Sequence, residues 1–86
     1  MGKCTVGEVG KLKIKMDTPD DDYFDTKDPH VSIEGAGIYV NHIDLYSIDN
    51  SVGAGDRALK AAIYWIRDNK DELIKMYKNK APYRIN

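Results

Sequence analysis

The spacing of hydrophobic and polar positions changes several times along the chain, and the first regular stretch predicts a strand. Lysines at 11, 13 and 15 alternate with Leu12, Ile14 and Met16, a period of two that is typical of a strand with one buried side and one solvent-facing side. Lysines on a sheet edge also oppose edge-to-edge aggregation. We therefore expect this first strand to lie at an edge of the sheet.

A β-hairpin is predicted between positions 29 and 45. Glycines and small residues at 34–37 supply turn chemistry, and β-branched and aromatic residues lie on both sides. If Gly35 and Ala36 form a two-residue turn, Ile33 lies opposite Ile38 and Val31 lies opposite Val40. That register gathers four apolar side chains on one face, so we favour it.

The hairpin register decides how the two histidines relate. In the favoured register His30 lies opposite Asn41, and His30 and His42 occupy opposite faces. A three-residue loop would place His30 opposite His42 but would mix polar and apolar side chains on each face. The sequence therefore predicts no shared histidine site.

Steps of three and four between apolar residues predict amphipathic helix in the last third of the chain. The helix begins at Asp56 or Ser51. An unbroken helix over 57–79 would extend about 35 Å, which exceeds the diameter of about 30 Å of a small domain. We expect a break near Asn69, where Asn69 and Glu72 have the spacing of a capping box, and an end before Pro82. The apolar stripe comprises Leu59, Ala62, Ile63, Ile66, Leu73, Ile74 and Tyr77.

These elements predict a single α+β domain spanning residues 1–86. Its sheet is small, three-stranded and mainly antiparallel, and a C-terminal helix or helix pair packs on one face. Residues 17–28 form an acidic loop. The 86 residues, 42% of them hydrophobic, are too few for a second domain.

Composition narrows the expected location and partners. The net charge of -1 and the pI near 6.1 disfavour nucleic-acid binding by bulk charge, although a local basic patch is compatible with them. The charge is segregated, with +3 over residues 1–16, -9 over 17–56 and +5 over 57–86. The single cysteine, Cys4, lies near an end that we expect to be frayed. It cannot form an intrachain disulfide, so nothing implies an oxidising compartment and a reducing cytoplasm is the default expectation. No apolar run predicts a signal peptide or a membrane span.

The acidic loop carries six aspartates between positions 17 and 28. Clustered carboxylates suit Ca²⁺, but an EF-hand that starts at Asp20 would put Phe24 at a ligand position and Asp25 at the turn glycine. A binding surface for a basic protein partner is the functional alternative to a solvated loop. The residues predicted to contact that partner are Asp20, Asp21, Asp22, Tyr23, Asp25 and Asp28.

Catalytic candidates are few. A metal-independent nuclease would use a histidine with a nearby carboxylate or cation, which singles out His30, Asp28 and Glu34. We expect no metal site and no cofactor, because one cysteine and two separated histidines lack zinc-ligand spacing. The basic C-terminal third also contains Tyr64, Trp65, Tyr77 and Tyr83, a composition compatible with RNA binding; we expect core packing for most of these rings.

Four stretches, at 23–25, 28–34, 58–66 and 69–74, resemble a small bacterial family of unknown function. Members carry an Asn-Pro-Pro-His-x-His segment that enters a strand, followed by a hairpin and two C-terminal helices. The resemblance covers roughly residues 11–80 and implies a cytoplasmic component that is often encoded in suspected toxin–antitoxin pairs. Here Asp28 replaces the first proline, Ser32 replaces the second histidine, and an acidic insertion precedes His30. Only His30 carries over from the histidine pair.

The sequence thus favours a small binding or regulatory protein in a toxin–antitoxin or phage-defence setting over an enzyme. One alternative is a small metal-independent nuclease-like toxin that uses His30. Another is a structural homo-oligomer joined through an exposed strand edge.

Overall fold

The computed structural model describes residues 3–17, 28–50 and 56–85. Four strands form one antiparallel sheet in the order β1-β2-β3-β4. A 3₁₀ segment follows the sheet, and two α-helices complete the chain. The predicted α+β class, antiparallel sheet and C-terminal helix pair are confirmed, but the sheet has four strands rather than three. The elements are β1 Lys3–Val9, β2 Leu12–Asp17, β3 His30–Gly35, β4 Ile38–Asp44, the 3₁₀ segment Leu45–Asn50, α1 Arg57–Asp68 and α2 Lys70–Lys78.

The strand absent from the prediction is β1. Its register against β2 shifts between Thr5 and Gly7, so a bulge interrupts the alternation of sides. Val6 is fully buried and Val9 packs against the core, and their spacing of three hides the period of two. Cys4 is accordingly a half-buried strand residue, and the expectation of a frayed segment around it is wrong.

Strand β2 forms where its alternation predicts, with Leu12, Ile14 and Met16 fully buried. Its predicted place at a sheet edge is wrong, because β1 pairs with one side of it and β3 with the other. Protection of an edge therefore does not explain Lys13 and Lys15, which alternate with the buried residues and lie on the opposite face.

The hairpin turn between β3 and β4 lies one residue later than predicted. Ala36 and Gly37 are the central residues, and both have positive φ (48° and 77°), as in a type I′ turn. Gly35 therefore pairs with Ile38, and Ile33 pairs with Val40. The predicted pairing of Ile33 with Ile38 is wrong.

The register of this hairpin shifts again beyond Ile33, and the shift moves Val31 opposite Ile43. Val31 is fully buried and Ile43 nearly so, so the shift keeps both side chains in the core. The predicted pairing of Val31 with Val40 is wrong for this reason: a bulge restores the apolar face that an unshifted ladder would lose.

Gly35 is required by the close approach of β3 to the turn before β2. Its φ is +134°, and a Cβ built on it would lie 2.3 Å from the backbone oxygen of Lys11. No side chain fits that space, and the conformation itself favours glycine.

The helices begin and break as predicted, but one cap differs. Asp56 caps α1, its Oδ1 accepting a hydrogen bond from the Leu59 backbone N–H at 3.1 Å. The chain breaks at Asn69, whose side-chain amide donates to the Trp65 carbonyl at 2.9 Å and makes no cap hydrogen bond to α2. The Asn69–Glu72 capping box is therefore wrong, and Glu72 instead accepts a hydrogen bond from the Tyr83 hydroxyl.

One hydrophobic core lies between the sheet and the helices, and both helices contribute to it. Side chains that alternate with the core residues of β2 and with Ile33 of β3 lie on the other side of the sheet, which we call the helix-free face. Within the described residues, no helix is long and apolar enough to cross a membrane. The buried apolar residues are Val6, Leu12, Ile14, Met16, Val31, Ile33, Ile43, Leu45, Ile48, Ala62, Ile63, Ile66, Leu73, Met76 and Tyr77.

The last described residues lie against the outer side of β1. The Ile85 backbone N–H donates to the Val6 carbonyl at 2.7 Å, and Arg84 forms an ion pair of 3.0 Å with Glu8. The bulge in β1 is thus paired on its outer side by the C-terminal segment.

Candidate functional site on the helix-free face

His30, the first residue of β3, contacts Asp17 at the end of β2 and Asp28 near its own position in the chain. Its Nδ1 lies 2.9 Å from the Asp28 carbonyl oxygen, and its Nε2 lies 3.0 Å from Oδ2 of Asp17. A carbonyl oxygen only accepts, so Nδ1 carries a hydrogen and donates it. Nε2 is engaged by the Asp17 carboxyl group whichever of the two holds the proton between them. We call Asp17, Asp28 and His30 the histidine clasp.

The clasp is largely removed from solvent. The side chains of His30 and Asp17 are 10% and 13% exposed, and the Tyr77 ring from α2 lies 5.5 Å from the imidazole centroid. An acid or base catalyst needs a ring nitrogen that reaches its substrate. Both nitrogens of His30 are used within the chain, so the geometry gives His30 the role of holding the strand ends together.

The two histidines share one site, contrary to the prediction. Their rings stack at 4.2 Å between centroids with an interplanar angle of 17°. His30 pairs across the ladder with Asp44, not with Asn41 or His42. The register shift in the hairpin brings the exposed His42 onto the buried His30, and no sequence signal marks that shift.

The other catalytic candidates do not join His30. Asp28 contributes its backbone carbonyl to the clasp, and its side chain is exposed. Glu34 lies near the other end of β3, where it forms an ion pair with Lys15. The hydrogen bond from Lys15 lowers the pKa of Glu34, the charges of Lys3 and Lys13 lower it further, and desolvation opposes them.

One carboxylate therefore lies among three ammonium groups, and an exposed aromatic ring lies next to the carboxylate on the neighbouring strand. Tyr39 pairs directly with Glu34 across the β3–β4 ladder and is 61% exposed. Neighbouring residues on the sheet share a face in such a pair. We call Lys3, Lys13, Lys15, Glu34 and Tyr39 the lysine–tyrosine surface.

Two contacts fix the position of the Tyr39 ring. Its hydroxyl donates to Oδ1 of Asn41 at 2.8 Å, and the Lys3 ammonium lies 5.9 Å from the ring centroid. Lys3 also donates to Oγ of Ser32 at 3.3 Å, so its side chain reaches across the sheet from β1. The ring and this ammonium group are thus held together at the surface.

A shallow depression of about 500 Å³ lies at the turn end of this surface. Two lysines line one part of it, and Tyr39 lines another. Glycine backbone and Glu34 complete its lining, so the depression combines cationic, aromatic and backbone groups. The lining residues are Lys11, Lys13, Glu34, Gly35, Gly37, Ile38 and Tyr39.

The predicted contact residues of the acidic loop are mostly outside the described part of the chain. Asp20, Asp21, Asp22, Tyr23 and Asp25 lie there, and Asp28 is the described member of that set. In the parts of the chain that the structure describes, no three His, Cys, Asp or Glu side chains group as metal ligands.

The expectation that most C-terminal rings pack in the core is only partly correct. Tyr77 is buried and Trp65 is half-buried, whereas Tyr64 and Tyr83 are 57% and 49% exposed. Tyr83 donates to Glu72, and this hydrogen bond raises the pKa of Tyr83. The two exposed rings do not belong to the lysine–tyrosine surface: Tyr64 is on α1 and Tyr83 follows α2.

Comparison with known proteins gives no match: no family model, no curated protein and no solved structure is similar to this chain. The resemblance to the small bacterial family stays a prediction. The function must be argued from the geometry of the helix-free face.

Proposed function

We propose that this chain is a small binding protein that acts through its helix-free face and carries out no catalysis. The observation that carries the proposal is the lysine–tyrosine surface, in which the exposed Tyr39 ring lies beside Glu34 and the Lys3 ammonium group. Lys13 and Lys15 lie on β2, next to the strand that carries Glu34. Polar and aromatic side chains on a rigid sheet suit recognition of a polar ligand, because the strands fix their positions.

The engagement of His30 supports binding over the nuclease alternative. General acid–base catalysis on RNA requires a group that exchanges a proton with the substrate. The two nitrogens of His30 face Asp17 and Asp28 instead. A regulatory role in a toxin–antitoxin or phage-defence setting fits a protein of this kind, and a basic protein partner for residues 20–28 is a further part of the proposal.

Affinity capture tests the binding proposal. Wild-type protein, a Lys13→Glu/Tyr39→Ala variant and a Lys60→Glu/Tyr64→Ala variant are used as baits in a lysate of the source cells. The second pair makes the same chemical changes at exposed positions of α1. We call Lys13→Glu/Tyr39→Ala the sheet variant and Lys60→Glu/Tyr64→Ala the α1 variant. We expect the wild type and the α1 variant to retain a lysate component that the sheet variant does not retain.

Two results would contradict the proposal. Equal retention by all three baits would show that the lysine–tyrosine surface does not bind. Growth arrest on expression of the wild type that disappears with His30→Ala, while the variant remains folded by circular dichroism, would support the nuclease alternative instead.

A further inference from the structure

We infer that the ligand of the lysine–tyrosine surface is a single-stranded nucleic acid. The inference rests on the proposed function and names the class of ligand for the same surface. It requires that phosphate groups contact the lysines of β2 and the turn before it, and that a base stacks on Tyr39.

The charge of the helix-free face favours an anionic ligand although the whole chain carries -1. Three of its carboxylates form ion pairs: Glu34 with Lys15, Glu8 with Arg84, and Asp17 with His30. A fourth, Asp44, accepts a hydrogen bond from the Tyr46 backbone N–H at the far end of β4. Lys11 and Lys13 form no ion pair among the described residues. Two ammonium groups at the turn end of the sheet are therefore available to neutralise phosphates, and that neutralisation provides most of the affinity of such complexes.

The positions of the lysines suit an extended backbone. Alternate residues of a strand are about 6.6 Å apart and project to the same side, so Lys13 and Lys15 present a row of cations with Lys11 beyond them. Strands β2 and β4 lie two strand spacings apart, about 9.6 Å. A nucleotide can span that separation with its phosphate at Lys13 and its base at Tyr39.

Tyr39 favours unpaired bases over a duplex or an acidic peptide. Its ring is 61% exposed and is oriented by the hydrogen bond to Asn41. Bases stack on such rings with little sequence preference, and only single strands present their base faces to a protein surface. An acidic peptide would use the lysines but not the ring.

Fluorescence anisotropy with labelled 12-nucleotide probes tests the inference. Single-stranded RNA, single-stranded DNA and an RNA duplex are titrated with wild-type protein at 50 and 200 mM salt. We expect saturable binding of a single-stranded probe that is tighter than binding of the duplex and weakens with salt. The RNA and DNA arms show which sugar the surface accepts.

Variants separate the roles of the ring and the lysines. Tyr39→Ala is expected to weaken binding about 5- to 150-fold, the effect of losing one base stack, whereas Tyr39→Phe keeps the affinity close to that of the wild type. Lys13→Ala is expected to reduce the salt slope by about 0.7, the value for one phosphate contact on a single strand. Tyr64→Ala and Lys60→Ala on α1 are the matched controls and should change neither quantity.

The outcomes distinguish the inference from the proposed function. Absence of probe binding at 50 mM salt, or equal affinity for Tyr39→Ala and Tyr64→Ala, would overturn the nucleic-acid inference. If the lysate component lost from the sheet variant then survives nuclease treatment and is digested by protease, the binding function stands and its ligand is a protein. If Lys13→Glu/Tyr39→Ala retains every lysate component, and Tyr39→Ala and Lys13→Ala bind the probes like the wild type, both the inference and the proposed function fail.

Discussion

Replacing Gly35 with alanine should destabilise the sheet far more than alanine at the neighbouring turn glycines. The added Cβ would lie 2.3 Å from the Lys11 backbone oxygen and 3.2 Å from the Leu12 Cα. Because such contacts are essentially never shorter than 3.0 Å, the β2 and β3 backbones must separate by about 0.7 Å or the residue must leave its conformation.

Two costs combine at Gly35. Forcing extra atoms into a packed site costs about 1–3 kcal/mol, and holding a residue with a side chain at a φ of +134° costs about another 1–3 kcal/mol. The two costs add to about 2–6 kcal/mol, and we expect a loss near the middle, about 4 kcal/mol, a large share of the roughly 5–15 kcal/mol that stabilises a small domain.

Gly37→Ala and Gly10→Ala are the matched controls. Both glycines have positive φ, +77° and +61°, but a Cβ at either position meets no atom within 4 Å. Their cost is backbone strain alone, about 1–2 kcal/mol. The free energy of unfolding of all three variants is measured by urea denaturation followed by circular dichroism. If Gly35→Ala falls within 1 kcal/mol of Gly37→Ala, the close approach of β3 to Lys11 is refuted.

The clasp, the core and the Glu34 carboxylate provide the remaining tests. Asp17→Ala leaves Nε2 of His30 without its hydrogen-bond partner and should cost about 1.5–3 kcal/mol in the same denaturation assay; an unchanged midpoint would contradict the clasp. Leu73→Ala removes a fully buried side chain and should lower the free energy of unfolding by about 2–5 kcal/mol. A fall in Tm of only a few degrees would contradict the burial of Leu73 in the core. Because Lys15 lowers the pKa of Glu34, the carboxylate stabilises the fold above its ordinary pKa, and this contribution is lost as the pH falls through the lowered pKa. Glu34→Gln should therefore be less stable than the wild type at pH 7 and equal to it in strong acid, and a difference independent of pH would argue against the ion pair.

Periodicity was sufficient for the elements with regular burial. Leu12, Ile14 and Met16 alternate without interruption, and β2 formed where they predict. A length limit predicted a break in the helix, and the capping preference of Asn69 predicted its position. The missing cap of α2 could not be predicted, because Glu72 accepts a hydrogen bond from Tyr83, eleven residues away.

Irregular backbone explains the failures. The bulge between Thr5 and Gly7 places Val6 and Val9 on a spacing that no strand pattern matches, so β1 was missed. Without β1, β2 was predicted to be an edge strand, and its lysines were explained as protection of that edge. The pairing of β1 with β2 removes this explanation.

The candidate site was missed for a related reason. Each histidine was placed by an unshifted ladder, whereas the shift near Val31 stacks His42 on His30. Tyr39 was not predicted to be a site residue, because a single tyrosine in a strand is common. Its significance comes from Lys3, whose ammonium group lies near the ring, and from Lys13, which lines the same depression. Both lysines come from other strands, and proximity across strands leaves no mark in local sequence.

The hydrogen bond between Ile85 and Val6 makes the two borders of the sheet unequal. A second copy that added a strand beside β1 would have to displace the C-terminal segment, whereas β4 has only β3 as a neighbour in the described sheet. Self-association through strand addition would then join β4 to β4. Such a contact uses the same border on both copies, so it closes into a two-fold dimer and cannot propagate into a fibre.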